Sequence, residues 1–475
     1  MPGSEIRDLR DFVRIAEERG ELKRVKAEVD CHLELSHIAK INDQKKGPAL
    51  LFENVKGHSI PVLTGVFTNP TRLAISLEMP TEFTIFDMAK EWATIAEKGT
   101  IPPEKVDDGP ILENKVEKNI DLSAFPAPHW FPEDGGRYFG TAVYLITKDP
   151  ETGFVNLGTY RMQILDGTSL GVMFLQGKDA DITFRKYREK KEPMPAAAVI
   201  GGDPRLFLLG GTSLSYGTGE YDVAGALRKA PVEVIESELT GLPIPAFAEI
   251  AVEGYVDTDP NSFRDEGPFG EYPGYYSKGK EKRPWIEVKR ILHRANPIFW
   301  GSAVGRPPTA NTMMHSLAKT AAMWTELKQM GIPGIQSVYF PPASGRFWVV
   351  ISIKQSYPGH GRQAGLAAFA SIAGNYGVKG AIIVDDDIRA DDLDGVLWAL
   401  SVRYNPIEDT EIIKKGRSTP LDPSLPVDAR KIVSRILIDA TTPYEWEKKP
   451  KLVELDGDVL EKVKGRWSEL GLEDS

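Results

Sequence analysis

The middle of the sequence is a long series of short β-type segments, and this series constrains the fold most. Between about residue 115 and about residue 300, apolar runs such as TAVYLITKD, AAAVIGG, RLFLLGG and AEIAVEGYVD alternate with glycine and proline. Only DITFRKYREKK and EYDVAGALRK interrupt them with helical patterns. Many short strands in one region favour a β-barrel or a β-sandwich.

Both flanks of this region alternate helices with strands. On the C-terminal side, RFWVVISIK, GRQAGLAAFASIAGNYG, GAIIVDDD and LDGVLWALSVRYN predict strand, helix, strand and helix, typical of an α/β domain with parallel strands. In the acidic stretch before the last helix, we expect Asp391 or Asp392 to be the helix N-cap. On the N-terminal side, apolar residues recur at helical spacing and a glycine suits the helix C-cap: Ile6, Leu9, Phe12, Val13, Ala16 and Gly20.

Composition narrows the class of protein. A chain of 475 residues is too long for one hydrophobic core, and the patterns predict three domains, over 1–114, 115–302 and 303–475. The net charge of −10 argues against nucleic acid and anionic membranes as main partners. Cys31 is the single cysteine, which excludes intrachain disulfides and cysteine-rich zinc sites. Neither a membrane-spanning apolar run nor a signal peptide is visible, so we expect a cytoplasmic protein.

The stretch EGPFGEYPGYY, residues 266–276, brings two carboxylates to one turn. Glu266 and Glu271 flank a Gly-Pro-Phe-Gly sequence whose residues allow a sharp reversal of the backbone. Aromatic residues follow at once, and desolvation beside them raises the pKa of a carboxyl group toward a range useful for proton transfer. From the residues alone, two solvated glutamates on a surface loop stay an open alternative.

Other polar residues stand in glycine-rich or helix-initiating contexts. Arg161, in NLGTYRM, has a side chain suited to a bidentate clamp on a planar carboxylate. Glu220, in GEYDVAGAL, stands where a helix begins, and Arg362 stands at another helix N-terminus that favours anions. The loop GGTSLSYG offers Thr212, Ser213 and backbone N–H groups to a phosphate.

These strings resemble the signatures of the UbiD-like decarboxylases, which are reversible (de)carboxylases that use prenylated FMN. The most specific matches are EGPFGE, N-x-G-x-x-R and E-Y-x-x-A-G, and the resemblance spans nearly the whole chain. It implies an N-terminal α/β domain, a central split β-barrel that binds the flavin, and a C-terminal α/β domain that forms a homodimer or a higher homo-oligomer.

The resemblance also implies roles for individual residues. Arg161 would orient the substrate carboxylate, Glu266 would pair with Arg161, and Glu271 would deliver the proton that replaces carbon dioxide. Asn156 and Glu220 would hold a divalent metal, manganese above all, and potassium is a further candidate cofactor. The implied cofactor-binding residues are Asn156, Gly158, Thr159, Arg161, Lys178, Thr212, Ser213, Glu220 and Arg362.

The sequence departs from the family pattern at one metal ligand. Many relatives carry a histidine between the positions of Asn156 and Glu220, after the arginine. The matching stretch here, FLQGKDADITF, instead offers Lys178, Asp179 and Asp181. A lysine can contact a phosphate directly, so Lys178 is an alternative to the metal.

The implied reaction is reversible, non-oxidative decarboxylation of an aromatic, heteroaromatic or α,β-unsaturated acid through a covalent prenylated-FMN adduct. The partners of such a carboxy-lyase would be a small carboxylic acid, carbon dioxide and a flavin prenyltransferase that supplies the cofactor. Two alternatives stay open. One is an FMN reductase, against which the missing dinucleotide fingerprint counts. The other is a non-catalytic assembly subunit of a carboxylase complex, which the missing histidine favours.

Overall fold

The N-terminal part is a small sheet flanked by helices. The computed structural model describes residues 5–212, 214, 217–429 and 431–471. The sheet order is β1-β2-β3-β18, so a strand from residues 299–300 completes it. The chain therefore returns to the N-terminal sheet before the predicted boundary at 302. The elements up to residue 116 are α1 (Leu9–Glu18), β1 (Leu22–Val25), α2 (Glu34–Gln44), β2 (Ala49–Phe52), β3 (Val62–Thr64), α3 (Pro70–Leu77), α4 (Ile85–Glu97), β4 (Glu104–Lys105) and β5 (Asn114–Val116).

The central part is built on one large antiparallel sheet. Its strand order is β6-β9-β10-β17-β14-β11-β7-β8, with β5 beside β17. Its elements are β6 (Tyr138–Gly140), β7 (Tyr144–Lys148), β8 (Val155–Gly158), β9 (Met162–Asp166), β10 (Ser169–Val172), α5 (Asp179–Lys190), β11 (Met194–Gly201), α6 (Pro204–Gly210), α7 (Glu220–Arg228), β12 (Glu233–Glu236), β13 (Pro243–Pro245), β14 (Ala248–Val256), β15 (Arg264–Glu266), β16 (Glu281–Arg283), β17 (Trp285–His293) and β18 (Phe299–Trp300).

Two sequence predictions about this part need correction. Within the described residues, the end strands β6 and β8 do not pair with each other, so the sheet is open and not a closed barrel. The run RLFLLGG forms helix α6 instead of a strand. Asp203 accepts a hydrogen bond from the Arg205 backbone N–H, and Pro204 occupies the first turn, so local capping overrides the apolar pattern.

The C-terminal part is an α/β sheet with the order β19-β20-β21-β23-β22. As predicted, β20 and β21 are parallel, and Asp392 caps α10 by accepting from the Gly395 N–H. Helix α4 of the N-terminal part packs on α8, where Phe86 meets Trp324 edge to face at 5.1 Å. The elements are α8 (Ala310–Gln329), β19 (Ile335–Tyr339), β20 (Trp348–Ile353), α9 (His360–Ala370), β21 (Gly380–Asp385), α10 (Leu393–Val402), β22 (Thr410–Arg417), β23 (Ile432–Ala440) and α11 (Gly457–Lys464). No described helix is long and apolar enough to cross a bilayer.

A buried arginine joins the N-terminal part to the central part. The Arg205 side chain is fully buried and donates from Nε to Asp203 at 2.8 Å and from Nη1 to Glu78 at 2.9 Å. Its Nη2 also donates to the backbone oxygen of Ile6. Removing one partner of such a network leaves the others buried and unpaired, which is expensive.

We expect Arg205→Met to lower the free energy of unfolding by about 3–5 kcal/mol, because it removes the nearest cationic partner of the buried Asp203 carboxylate. Chemical denaturation monitored by circular dichroism measures this loss. Arg24→Met is the matched control. Arg24 pairs with Glu17 and Glu53 at a partly exposed site, so its loss should cost no more than about 1 kcal/mol. Equal losses in the two variants would contradict the assigned role of Arg205.

Candidate active site

Arg161 is clamped between the two glutamates of the EGPFGE stretch. Its Nε and Nη2 donate to the two carboxylate oxygens of Glu266 at 2.9 and 2.8 Å, and its Nη1 donates to Glu271. All three side chains are almost inaccessible to solvent. The structure therefore brings together the three predicted catalytic residues. It also excludes the alternative of two solvated glutamates.

The turn between the two glutamates is fixed by Gln163 on β9 and by residues of the loop before β6. The Gly267 N–H donates to Gln163 Oε1 at 2.8 Å, and the Gly270 N–H donates to Asp134 Oδ1 at 2.9 Å. The Gly135 N–H donates to the Pro268 oxygen at 2.7 Å. Gly135, in the sequence Asp134-Gly135-Gly136, therefore lies close to this turn. The turn holds Glu266 and Glu271 on either side of Arg161.

Burial sets the protonation behaviour of the acids in this site. It raises the pKa of Glu271, and the charge of Arg161 opposes this shift without reversing it. Burial also raises the pKa of Asp134 to about 6, although two backbone N–H groups favour its charged form. The Tyr138 hydroxyl lies 3.2 Å from Glu266 Oε1 and 3.1 Å from the Pro268 oxygen, so its single hydrogen can be donated to either acceptor.

A second polar group lies where β8 meets the starts of α5 and α7. Asn156 lies on β8 and is 3% exposed, and its Nδ2 has no hydrogen-bond partner of ordinary geometry among the described residues. The next backbone N–H, that of Leu157, donates to Glu220 Oε2 at 3.0 Å. Burial raises the pKa of Glu220 to about 7, with a smaller contribution from the charge of Asp179. The two predicted metal ligands, Asn156 and Glu220, are therefore neighbours.

The other predicted cofactor-binding residues are spread more widely. Thr159 follows Gly158 at the end of β8, and its N–H donates to the Gly210 oxygen at 2.9 Å; Thr212 donates to Leu208. Lys178 is the N-cap residue of α5. Partial desolvation by the surrounding protein lowers the pKa of Lys178, although the residue remains exposed to solvent.

One predicted cofactor-binding residue, Arg362, is not brought to the site. Arg362 is half exposed and pairs with Glu411 at 3.0 Å, so the described structure does not place it beside the others. Ser213 lies outside the described residues.

Sequence reasoning missed a cationic group contributed by the C-terminal part. The guanidinium of Arg346 lies 4.0 Å from the centre of the Tyr272 ring, and the charge of Glu271 acts on it. It donates to Asn311 on α8, while its Nε has no partner. Among the described residues, no carboxylate forms an ion pair with Arg346, His315 or Lys319.

Arg346, Lys319 and His315 lie within electrostatic range of one another. Burial lowers the pKa of Lys319 to about 7 and that of Arg346 to about 10. The charge of Arg346 also lowers the pKa of Lys319, and the charges of Arg346 and Lys319 both lower the pKa of His315. Asn311, His315 and Lys319 follow one another at intervals of four along α8 and therefore share a face of the helix. Polar residues at this spacing in an otherwise apolar helix are a signal from which this face was predictable.

Family profiles match almost the entire chain. The N-terminal, Rift-related and C-terminal domains of 3-octaprenyl-4-hydroxybenzoate carboxy-lyase match residues 13–92, 104–307 and 312–440. The chain belongs to the UbiD family. It is therefore an enzyme of the carboxy-lyase class, and the mixed α/β fold implied by the family resemblance is confirmed.

Comparisons with individual UbiD-family proteins extend over full chain lengths. An uncharacterised protein of Archaeoglobus fulgidus is 33% identical over 490 residues, covering 98% of both chains. The UbiD-class enzyme HmfF from Pelotomaculum thermopropionicum, in complex with FMN, is 31% identical with a TM-score of 0.86, covering 96% of this chain and 98% of its own. An evolved dimeric form of HmfF, in complex with prFMN, has a TM-score of 0.81 at 30% identity and 94% and 99% coverage. Vanillic acid decarboxylase of Sedimentibacter hydroxybenzoicus, in open form, has a TM-score of 0.88 at 30% identity and 98% and 99% coverage.

The packing of Gly135 against the glutamate turn gives a test of this geometry. A Cβ atom at Gly135 would lie 2.1 Å from the Gly267 carbonyl oxygen, so Gly135→Ala must displace the turn that positions Glu266. We expect at least a roughly 100-fold loss of activity with little change in overall fold, because small misplacements of catalytic groups are costly.

Gly279→Ala is the matched control, since a Cβ atom there meets nothing within 4 Å. Steady-state kinetics with circular dichroism compares the two variants. Unchanged activity in Gly135→Ala would contradict the proposed dependence on this turn.

Proposed function

We propose that this UbiD-family enzyme catalyses reversible, non-oxidative decarboxylation of an aromatic, heteroaromatic or α,β-unsaturated acid with prenylated FMN. The observation that carries the proposal is the buried ion cluster of Arg161, Glu266 and Glu271. A guanidinium beside a carboxyl group of raised pKa provides both a carboxylate clamp and a proton donor. The FMN and prFMN complexes of HmfF support the choice of cofactor.

The residues around β8 and the cationic side chains of the C-terminal part fit a flavin phosphate. Asn156 offers a buried amide whose Nδ2 has no hydrogen-bond partner among the described residues, Lys319 and Arg346 offer positive charge at half-buried positions, and Lys178 offers it at an exposed position. Thr212 adds a hydroxyl group to this set. When bound, prenylated FMN supplies the electron sink that loss of carbon dioxide requires.

The oxygen donors of this region also fit a hard divalent cation. Asn156 and Glu220 supply amide and carboxylate oxygens, which suit manganese or magnesium. Within the described ranges, no three histidine, cysteine, aspartate or glutamate side chains form a metal cluster by themselves. The cation would therefore rely on the phosphate and on the Asn156 amide as well.

The roles of the catalytic side chains follow from their contacts. Glu266 binds two edges of Arg161 and fixes its plane, whereas Glu271 occupies only Nη1. That edge is the one that a substrate carboxylate would take. Glu271, whose pKa is raised by burial, then holds a proton at its carboxyl oxygen for the carbon that carbon dioxide leaves. Exclusion of water from this buried group keeps the proton transfer specific.

We also propose a homodimer and supply of the cofactor by a flavin prenyltransferase in the cytoplasm. Large apolar side chains lie exposed on α10, where Leu397 is 63% and Trp398 43% exposed, and on α11, where Val459 is 57% exposed. Such surface is typical of a contact between subunits. The evolved dimeric form of HmfF supports this proposal.

Activity should depend on prenylation of the flavin. Protein produced with a flavin prenyltransferase should decarboxylate one or more aromatic or unsaturated acids, and protein carrying plain FMN should be nearly inactive. Mass spectrometry of the released flavin, combined with a carbon dioxide release assay over a panel of acids, tests this expectation. Equal activity with plain FMN would refute the proposed chemistry.

Glu271→Gln and Arg161→Ala should fail in different ways. Glutamine keeps the size of Glu271 but holds no transferable proton, so turnover should fall by about 10²–10⁴-fold. Exchange of the product hydrogen with deuterated solvent should fall alongside, because both directions use the same proton. Arg161→Ala removes the carboxylate clamp, so decarboxylation should be lost while part of the product exchange persists.

The pH dependence provides a second readout for Glu271. Decarboxylation needs the protonated acid, so turnover of the wild type should decline as pH rises through its raised pKa, and the glutamine variant should lack this limb. Asp265→Asn is the control, because Asp265 is a neighbouring but exposed acid paired with Lys282. Wild-type turnover in folded, flavin-loaded Glu271→Gln would end the assignment.

A further inference from the structure

Asp134 is a buried carboxylate that connects two backbone segments beside the loop of the proton donor. Its Oδ2 accepts from the Phe131 N–H at 3.0 Å, and its Oδ1 accepts from the Gly270 N–H at 2.9 Å. Asp134 is only 6% exposed, and it forms no ion pair with a lysine, arginine or histidine of the described residues. Two backbone N–H groups therefore stabilise this acid, with no cation in contact with it.

The Gly270 N–H is the link between Asp134 and Glu271. The Glu271 N–H donates to the Tyr275 oxygen at 3.0 Å, within its own loop, whereas the preceding N–H, that of Gly270, donates to Asp134 in a different segment. Because consecutive Cα atoms are about 3.8 Å apart, this hydrogen bond places Asp134 Oδ1 within about 8 Å of the Glu271 Cα atom.

Close packing makes this link rigid. A Cβ atom at Gly270 would lie 2.6 Å from the Phe131 ring, so the two segments that Asp134 bridges are also in direct contact. The position of the Asp134 carboxylate relative to Glu271 is thus fixed by hydrogen bonds and by van der Waals contact.

The two carboxylates nearest to Glu271 are compensated to different extents. Glu266 is paired with Arg161 along two edges, whereas Asp134 lacks such a cationic partner among the described residues. A nearby negative charge disfavours ionisation of a carboxyl group, and the charge of Arg161 favours it. The charged and titratable side chains that face the two acids are Arg161, Glu266, Tyr138, Tyr272, Tyr276 and Arg346.

We propose that Asp134 is a positioning residue, which holds the Glu271 loop through the Gly270 N–H and whose negative charge keeps the transferable proton on Glu271. Asp134 thereby opposes Arg161, whose positive charge favours loss of that proton. This role rests on the proposed function, because Glu271 must be the proton donor.

The pH profile of Asp134→Asn separates the charge of Asp134 from its structural role. Burial raises the pKa of Asp134 to about 6, so above that pH its carboxylate is ionised and holds the proton on Glu271 to higher pH. Asparagine keeps the size and one acceptor oxygen but removes the charge. The decline of turnover at alkaline pH should therefore move to lower pH by about one unit, as expected for a charge at roughly 8–10 Å and an effective dielectric constant of about 20.

Glu133→Gln is the matched control. Glu133 is the adjacent residue and carries the same charge, but it is exposed and forms no ion pair among the described residues. Its alkaline decline should stay at the wild-type position. A purely structural role of Asp134 would lower the turnover of Asp134→Asn at every pH without moving the decline.

A second measurement needs neither activity nor the Asp134→Asn variant. Infrared titration of the folded protein, with ¹³C-labelled aspartate to separate aspartate from glutamate carboxyl bands, follows the aspartate that titrates near pH 6. Coupled sites affect each other reciprocally, so Glu271→Gln should lower the pKa of Asp134 by about the same one unit.

The outcomes distinguish this role of Asp134 from the proposed function. An alkaline decline of Asp134→Asn at the wild-type position, or an Asp134 titration that Glu271→Gln leaves unchanged, would overturn the role of Asp134 and leave the decarboxylase proposal standing. A wild-type pH profile with no alkaline decline that depends on Glu271 would instead overturn Glu271 as the proton donor, and the role of Asp134 with it.

Discussion

The rest of the active site depends on the burial of one guanidinium between two carboxylates. Removing Arg161, Glu266 and Glu271 from water carries a large desolvation cost, and only close, hydrogen-bonded pairing offsets it. The cluster holds one positive and two acidic groups, so one acid is held less firmly than the other. Glu266 takes two edges of Arg161 and is the fixed partner, whereas Glu271 takes one edge and carries the raised pKa. An asymmetric ion cluster thus produces one structural acid and one acid available for proton transfer.

Hydrogen bonds to backbone groups hold the turn around this cluster in place and help to offset its desolvation free energy. Asp134 accepts from the N–H groups of Phe131 and Gly270, and thereby ties the loop before β6 to the turn between the glutamates. Gln163 on β9 binds the same turn two residues after Arg161, so strand geometry fixes the arginine and the turn relative to each other. The open antiparallel sheet serves here as a rigid frame for a loop that carries the chemistry.

The C-terminal part closes the site with positive charge. Arg346 lies over the Tyr272 ring, next to Glu271, and extends toward His315 and Lys319 on α8. Cations that lack a carboxylate partner among the described residues favour an anion, such as the flavin phosphate or substrate carboxylate of the proposed function. The central part thus supplies the acids Glu266 and Glu271, and the C-terminal part supplies the cations Arg346 and Lys319.

Local patterns in the sequence determined the helix of Leu9 to Glu18, the parallel strands of the C-terminal domain and the Asp392 cap, because periodicity and capping act over a few residues. The string EGPFGE and Arg161 could be identified because their residue types and spacing match the motifs of the UbiD-like decarboxylases. The strand predicted for RLFLLGG was wrong, because Pro204 and the Asp203 cap favour a helix there although the run is apolar. Only tertiary structure decided that the central sheet stays open, that β18 joins the N-terminal sheet, and that Arg346 lies over the Tyr272 ring while Arg362 pairs with Glu411. These outcomes depend on contacts between residues far apart in the chain, and no local pattern contains the distances that decide them.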